Sequence, residues 1–173
     1  MENLELKAHY PDLQEAHHRA IQLGAIRQWC VSQTDTYFLL SDGKMKLRQV
    51  QGLSAELITY QRPQHQDAKR SAYQIYRTSE PQALIKTLSM LFPIDIIVQK
   101  TRTLYLWNTV RIHLDSVHDL GNFIEFEAVI GAPAHYEQAQ TCLQELQHAF
   151  AIPGSALCAS GYYELMQLRL LKP

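Results

Sequence analysis

Acidic and basic side chains recur two residues apart along this chain, the spacing that puts both on one face of a β-strand. Glu5 and Lys7 alternate with Leu4 and Leu6, and Lys44, Lys46 and Arg48 alternate with Met45 and Leu47. Arg111, His113 and Asp115 alternate with Val110, Ile112 and Leu114, and Glu125 and Glu127 alternate with Ile124 and Phe126. Tyr60 and Arg62 share a face with Glu56, as Lys100 does with Arg102. Any single strand of this kind suits a sheet packed on one face and solvated on the other. Together the strands depart from that picture. A solvated face intersperses both signs, whereas Lys46–Arg48 and Lys100–Arg102 are basic pairs and Glu125–Glu127 is an acidic pair. The planar fork of the arginines suits phosphate oxygens.

Like charges gathered on an inward face repel and are costly to desolvate. They become reasonable when a polyanion meets the bases and a divalent cation meets the acids. A hard cation such as Mg²⁺ takes oxygen ligands and bridges carboxylates to substrate phosphates. Glu5, Asp115, Glu125 and Glu127 supply such oxygens, with Asn3 as a neutral one. Lys46, Arg48, Arg62, Lys100, Arg102 and Arg111 supply positive charge for a triphosphate, and Lys7 joins them on the first strand. Tyr37, Phe38, Tyr60 and Phe123 could stack on a nucleobase, although aromatic residues on strands more commonly pack in a core or at a rim.

Other chemical signatures are weak. "SDGKM" lacks the earlier glycine of a phosphate-binding loop, and no G-x-S-x-G occurs. His113 and Asp115 share a face but have no third zinc ligand at a telling spacing, so His113 reads as a hydrogen-bond donor on the inward face or a satisfied strand histidine. No function attaches to His17 and His18, and Tyr162 and Tyr163 read as packing residues.

The positioning elements follow from periodicity. Strands are expected at about 3–9, 27–33, 35–40, 44–50, 55–62, 70–77, 95–107, 110–117 and 123–130. Helices are expected over 11–24, over 79–92 with Ser79 as N-cap, and at roughly 133–150 and 161–170. About eight strands in hairpin-like succession predict an α+β fold around an antiparallel sheet or closed barrel, with helices on its outer apolar face. No linker interrupts residues 1–173, so one domain is expected.

Composition sets the limits. The chain has 173 residues, 46% hydrophobic and 19% charged, with a net charge of −1. No global basic field points to nucleic acid. Cys30, Cys142 and Cys158 are odd in number and far apart, unlike a disulfide framework. "MENLELKAHY" has no secretory leader pattern, and "LFPIDIIV", broken by Pro93 and Asp95, is too short to span a bilayer. A reduced, cytoplasmic protein is expected.

These residues resemble the CYTH superfamily, the triphosphate tunnel metalloenzymes, which includes class IV adenylate cyclases of the CyaB type and thiamine triphosphatases. "NLELK" (3–7) stands where the family has E-x-E-x-K. "DTYF" (35–38), "KLR" (46–48), "YQRP" (60–63), "QKTR" (99–102) and "RIHLDSVHDLGNFIEFE" (111–127) follow in the order of the cyclase-like branch. The resemblance implies an eight-stranded antiparallel tunnel holding a nucleoside or other organic triphosphate, with Mg²⁺ or Mn²⁺. It implies metal ligation by Glu5 and Glu127, with Glu125 and Asp115 as partners. It also implies phosphate contacts from Lys7, Lys46, Arg48, Arg62, Lys100, Arg102 and Arg111, to which Arg70 is added. Glu5, Lys7, Arg111 and Glu127 would carry the catalysis. Asn3 departs from the signature, offering an amide oxygen without a negative charge. The family likeness leaves open a homodimer, cyclisation of ATP, hydrolysis of thiamine or inorganic triphosphate, and triphosphate binding without turnover.

Overall fold

The computed structural model describes residues 2–61, 72–130 and 136–171. The described elements run β1 (Glu2–His9), α1 (Leu13–Gln22), β2 (Ile26–Phe38), β3 (Lys44–Val50), β4 (Ala55–Gln61), β5 (Ala72–Thr78), α2 (Pro81–Leu88), β6 (Ile94–Trp107), β7 (Val110–Val117), β8 (Gly121–Ile130), α3 (Tyr136–Ala149) and α4 (Tyr162–Leu170). The strands form one eight-stranded sheet of order β1-β8-β7-β6-β2-β3-β4-β5. The ladders β1–β8, β7–β8, β2–β3, β3–β4 and β4–β5 are antiparallel. The expected eight-stranded antiparallel α+β architecture is present. Its end strands are β1 and β5, and no ladder joins them among the described residues.

Two compact units divide the chain, Met1–Val31 with Thr101–Gly161 and Ser32–Lys100 with Tyr162–Pro173. In the first, the apolar alternation of β1, β7 and β8 gives one continuous face. Ala8, Val110, Ile112, Leu114, Ile124, Phe126 and Ala128 are buried there against Ala16 and Ala20 of α1, and against Ala139, Leu143 and Leu146 of α3. Asp12 starts α1 by accepting the N–H groups of Gln14 at 2.9 Å and Glu15 at 3.1 Å. Gly24 closes it at φ +75°, a left-handed conformation that a side chain would strain.

In the second unit, Phe38, Met45, Leu47 and Ala55 form the buried cluster, with Leu84, Ile85 and Leu88 of α2 packed on it. Two expectations are corrected here. β2 is one strand of 13 residues rather than two, because nothing between Gln33 and Asp35 breaks an extended backbone. The N-cap of α2 is Glu80, not Ser79. Pro81 fixes the first helical turn, and the Thr78 hydroxyl accepts the Glu80 N–H at 3.0 Å. The three cysteines are free thiols. No helix among the described residues is long and apolar enough to cross a membrane.

Candidate functional site

In the first unit the register of three strands gathers the charged alternation on the face opposite the apolar core. Across β1–β8, Glu5 stands opposite Glu127 and Lys7 opposite Glu125. Across β7–β8, Arg111 stands opposite Glu127 and His113 opposite Glu125. Arg102 of β6 grips Asp115 with both branches of its guanidinium, at 2.7 Å from Nε to Oδ1 and 2.5 Å from Nη2 to Oδ2. The same Nη2 lies 2.7 Å from Glu125 Oε2, while Lys7 Nζ lies 3.3 Å from Glu125 Oε1. Asp115 is fully buried, so this fork serves as its counter-charge. The Cys158 N–H donates to the Lys7 carbonyl at 2.8 Å and braces β1 beside its lysine.

Glu127 is held by a different set. The Asn3 amide donates to Oε1. His113 Nε2 lies 3.2 Å from Oε2, and Arg111 Nη1 lies 3.4 Å from the same oxygen. The His113 hydrogen bond, working against burial, keeps the Glu127 carboxyl below the usual carboxylate range. Burial, and then the Arg102 charge, push the His113 imidazole below its ordinary value.

Glu5 and Glu127 stand opposite each other on one ladder, so two carboxylates are offered from adjacent strands on one face. Mg²⁺ is commonly held by one or two carboxylates, with phosphate oxygens and water completing an octahedron. Glu5, Glu127 and the Asn3 amide fit that donor chemistry. Among the described residues no three His, Cys, Asp or Glu side chains gather closely enough to hold a metal ion by themselves. Phosphate and water would have to supply the rest.

The second unit has its own constellation. Asp35 is 4% exposed and sits between two bases. Lys46 Nζ is 2.9 Å from Oδ2, and Arg48 reaches Oδ1 through Nε at 3.0 Å and Oδ2 through Nη2 at 3.2 Å. Burial would raise the Asp35 pKa, but Lys46 and Arg48 outweigh it and hold the carboxyl far below the usual range. Lys46 also donates to the Tyr37 hydroxyl at 3.3 Å.

Helix α4 contributes to this second cluster. Lys100 Nζ lies 4.7 Å from the Tyr162 ring centroid, and Lys44 pairs with Glu164 and lies 4.3 Å from the Tyr163 ring. Tyr163 packs 4.9 Å from Tyr37 and donates to Asp95 Oδ2 at 2.5 Å. Burial, with Asp95 beside it, raises the Tyr163 phenol to about 12.

Of the residues expected at a site, the first unit brings together Asn3, Glu5, Lys7, Arg102, Arg111, Asp115, Glu125 and Glu127. The second unit brings together Lys46 and Arg48 through Asp35, and seats Lys100 on Tyr162. Arg62 and Arg70 lie outside the described residues. Sequence reasoning missed Asp35, whose signal was an acid sharing a strand face with Tyr37. It expected His113 as a hydrogen-bond donor or a satisfied strand histidine without naming Glu127 as the partner, and it read Tyr162 and Tyr163 as plain packing. Nothing local could have shown which bases those tyrosines meet.

The CYTH domain family matches residues 1–160. This chain therefore belongs to the CYTH family. The PH1012 protein of Pyrococcus horikoshii is similar in fold, with a TM-score of 0.82 at 18% identity, over 95% of this chain and 99% of that one. A candidate adenylate cyclase of Vibrio parahaemolyticus has a TM-score of 0.79 at 15% identity, over 95% of this chain and 97% of that one. A Hippeastrum protein, described as an adenylyl cyclase candidate with a dominant triphosphatase activity, has a TM-score of 0.67 at 12% identity, over 96% of this chain and 94% of that one. No curated protein sequence matches the chain.

Proposed function

We propose that this protein is a metal-dependent enzyme acting on a triphosphate, with ATP cyclisation to cyclic AMP and pyrophosphate as its reaction. The observation that carries the reading is the opposition of Glu5 and Glu127 on one ladder, with Lys7 and Arg111 on the same face. Two carboxylates for a cation, flanked by bases for an anion, fit a substrate that is itself a chelate of metal and polyphosphate. Membership of the CYTH family, with neighbours described as candidate adenylate cyclases, supports it.

In this reaction the ribose 3′-oxygen attacks the α-phosphorus, the bond to the bridging oxygen breaks, and pyrophosphate leaves. Mg²⁺ or Mn²⁺, when bound through Glu5 and Glu127 with Asn3 beside them, supplies Lewis acidity at the phosphoryl oxygens. Lys7 and Arg111 offset the charge that develops there. Lys46, Arg48, Lys100 and Arg102 are assigned as further phosphate contacts, and Arg62 and Arg70 are assigned from the sequence. Glu125 and Asp115 orient Lys7 and Arg102 through the ion pairs already described, and we place them as outer partners of the metal.

A second reading, hydrolysis of the terminal phosphate of an organic or inorganic triphosphate, uses the same residues. It is favoured by the triphosphatase activity ascribed to the Hippeastrum neighbour. A phosphorus NMR time course with ATP and Mg²⁺ separates the two. Pyrophosphate with a cyclic nucleotide signal is the expected result. Orthophosphate with ADP replaces it with the hydrolytic reading. An unchanged spectrum with ATP, thiamine triphosphate and inorganic triphosphate overturns both and leaves binding without turnover.

A further inference from the structure

Each donor on Glu127 is held differently. Arg111 is a long contact from a side chain 47% exposed, and Asn3 stands near the start of β1. His113 stands on β7, a strand paired within the sheet, and is 5% exposed. Its backbone is opposite Glu125, two residues along β8 from Glu127, yet its ring extends diagonally to Glu127 Oε2 at 3.2 Å.

The tautomer follows from this geometry. An ionised carboxylate only accepts hydrogen bonds, so Nε2 must carry the proton and Nδ1 is left as a bare acceptor. Nδ1 is buried and has no hydrogen-bond partner among the described residues. A buried acceptor left unpaired costs stability, whereas an apolar side chain of similar volume would pack there without that cost. Packing alone therefore gives no reason for a histidine at this position. The hydrogen bond from Nε2 does.

We propose that His113 is a positioning residue, whose Nε2–H fixes the Glu127 carboxylate in the orientation from which it ligates a divalent cation. The inference rests on the metal reading above. It adds an outer partner of the kind that orients ligands and tunes affinity in metal sites. His113 itself touches neither metal nor substrate.

The test uses the full chain with Mn²⁺ alone as probe, and the variants His113→Gln, His113→Leu and His113→Asn. A long-range proton–nitrogen NMR spectrum of the metal-free protein should show His113 protonated at Nε2. By calorimetry, His113→Leu should weaken Mn²⁺ binding by about tenfold to a hundredfold. His113→Gln, whose amide reaches the place of Nε2, should recover most of that loss. His113→Asn is too short to reach and should not recover it, so the Gln–Asn contrast decides the matter if the leucine variant fails to fold. A proton on Nδ1, or variants that all bind Mn²⁺ as the parent does, overturns the proposal. A parent protein that takes up no Mn²⁺ overturns the metal reading and the purpose assigned to His113. The NMR tautomer then separates that failure from a wrongly placed hydrogen bond.

Discussion

Asp35 and Glu127 are both carboxylates held below their ordinary pKa, and the reasons differ. Around Asp35, Lys46 and Arg48 outweigh a large burial penalty. Removing the acid would take from Lys46 and Arg48 the buried carboxylate they share, so Asp35→Asn should destabilise the fold by about 3–5 kcal/mol. Chemical denaturation near pH 7 measures it. The sign of the pH dependence follows from the depressed folded pKa. The contribution is fully present above the unfolded value of about 4 and is lost as pH falls below it. The stability gap between parent and variant should therefore narrow progressively below that pH. Glu127 is tested by function instead. Glu127→Ala should abolish metal-dependent turnover, while Glu15→Ala, on α1 and paired with Arg19 one turn along, should leave it intact in the same assay. Equal turnover in both would remove Glu127 from the metal site.

At the scale of elements, α1 is fixed by its ends. Asp12→Ala removes the acceptor for the N–H groups of Gln14 and Glu15 and should cost about 1 kcal/mol. A fall in the urea midpoint at unchanged slope would record it. The strands that carry the site were legible because the alternation in "NLELK", "VRIHLDSV" and "FIEFEAVI" leaves one register for an apolar core. Arg111, Glu125 and Glu127 were placed on a common face for that reason alone. The errors fall where local signals compete. Ser79 is a favoured N-cap type, but Pro81 moves the start of α2 by one residue. At α4, "YYELMQLRL" reads as a helix, yet the partners of Tyr162 and Tyr163 are set by tertiary packing. His113 illustrates the same limit. Its face was legible, but its diagonal reach to Glu127 was not, since a strand pattern fixes directions and not side-chain conformations.

For the whole molecule, the proposed activity has a thermodynamic counterpart. A triphosphate with Mg²⁺ that binds only the folded chain stabilises it by RT ln(1 + [L]/Kd), about 2.7 kcal/mol at a hundredfold excess over Kd. A clear rise in melting temperature with ATP and Mg²⁺ together, larger than with either alone, is the expected outcome. No rise with any triphosphate would count against a binding site of this kind. The sheet order has a consequence for how the protein is made. β1 is synthesised well before its ladder partner β8, and Asn3 and Glu127 are 124 positions apart. A growing chain must therefore carry Leu4, Leu6 and Ala8 without their partner strand until β8 has been made, a stretch of time in which an unpaired edge is open to wrong partners. Over the same period Glu5 has no Glu127 opposite it. The two carboxylates meet only when β8 docks, so competence to act on a triphosphate would arrive together with the last strand of the sheet, and no shorter nascent chain would possess it.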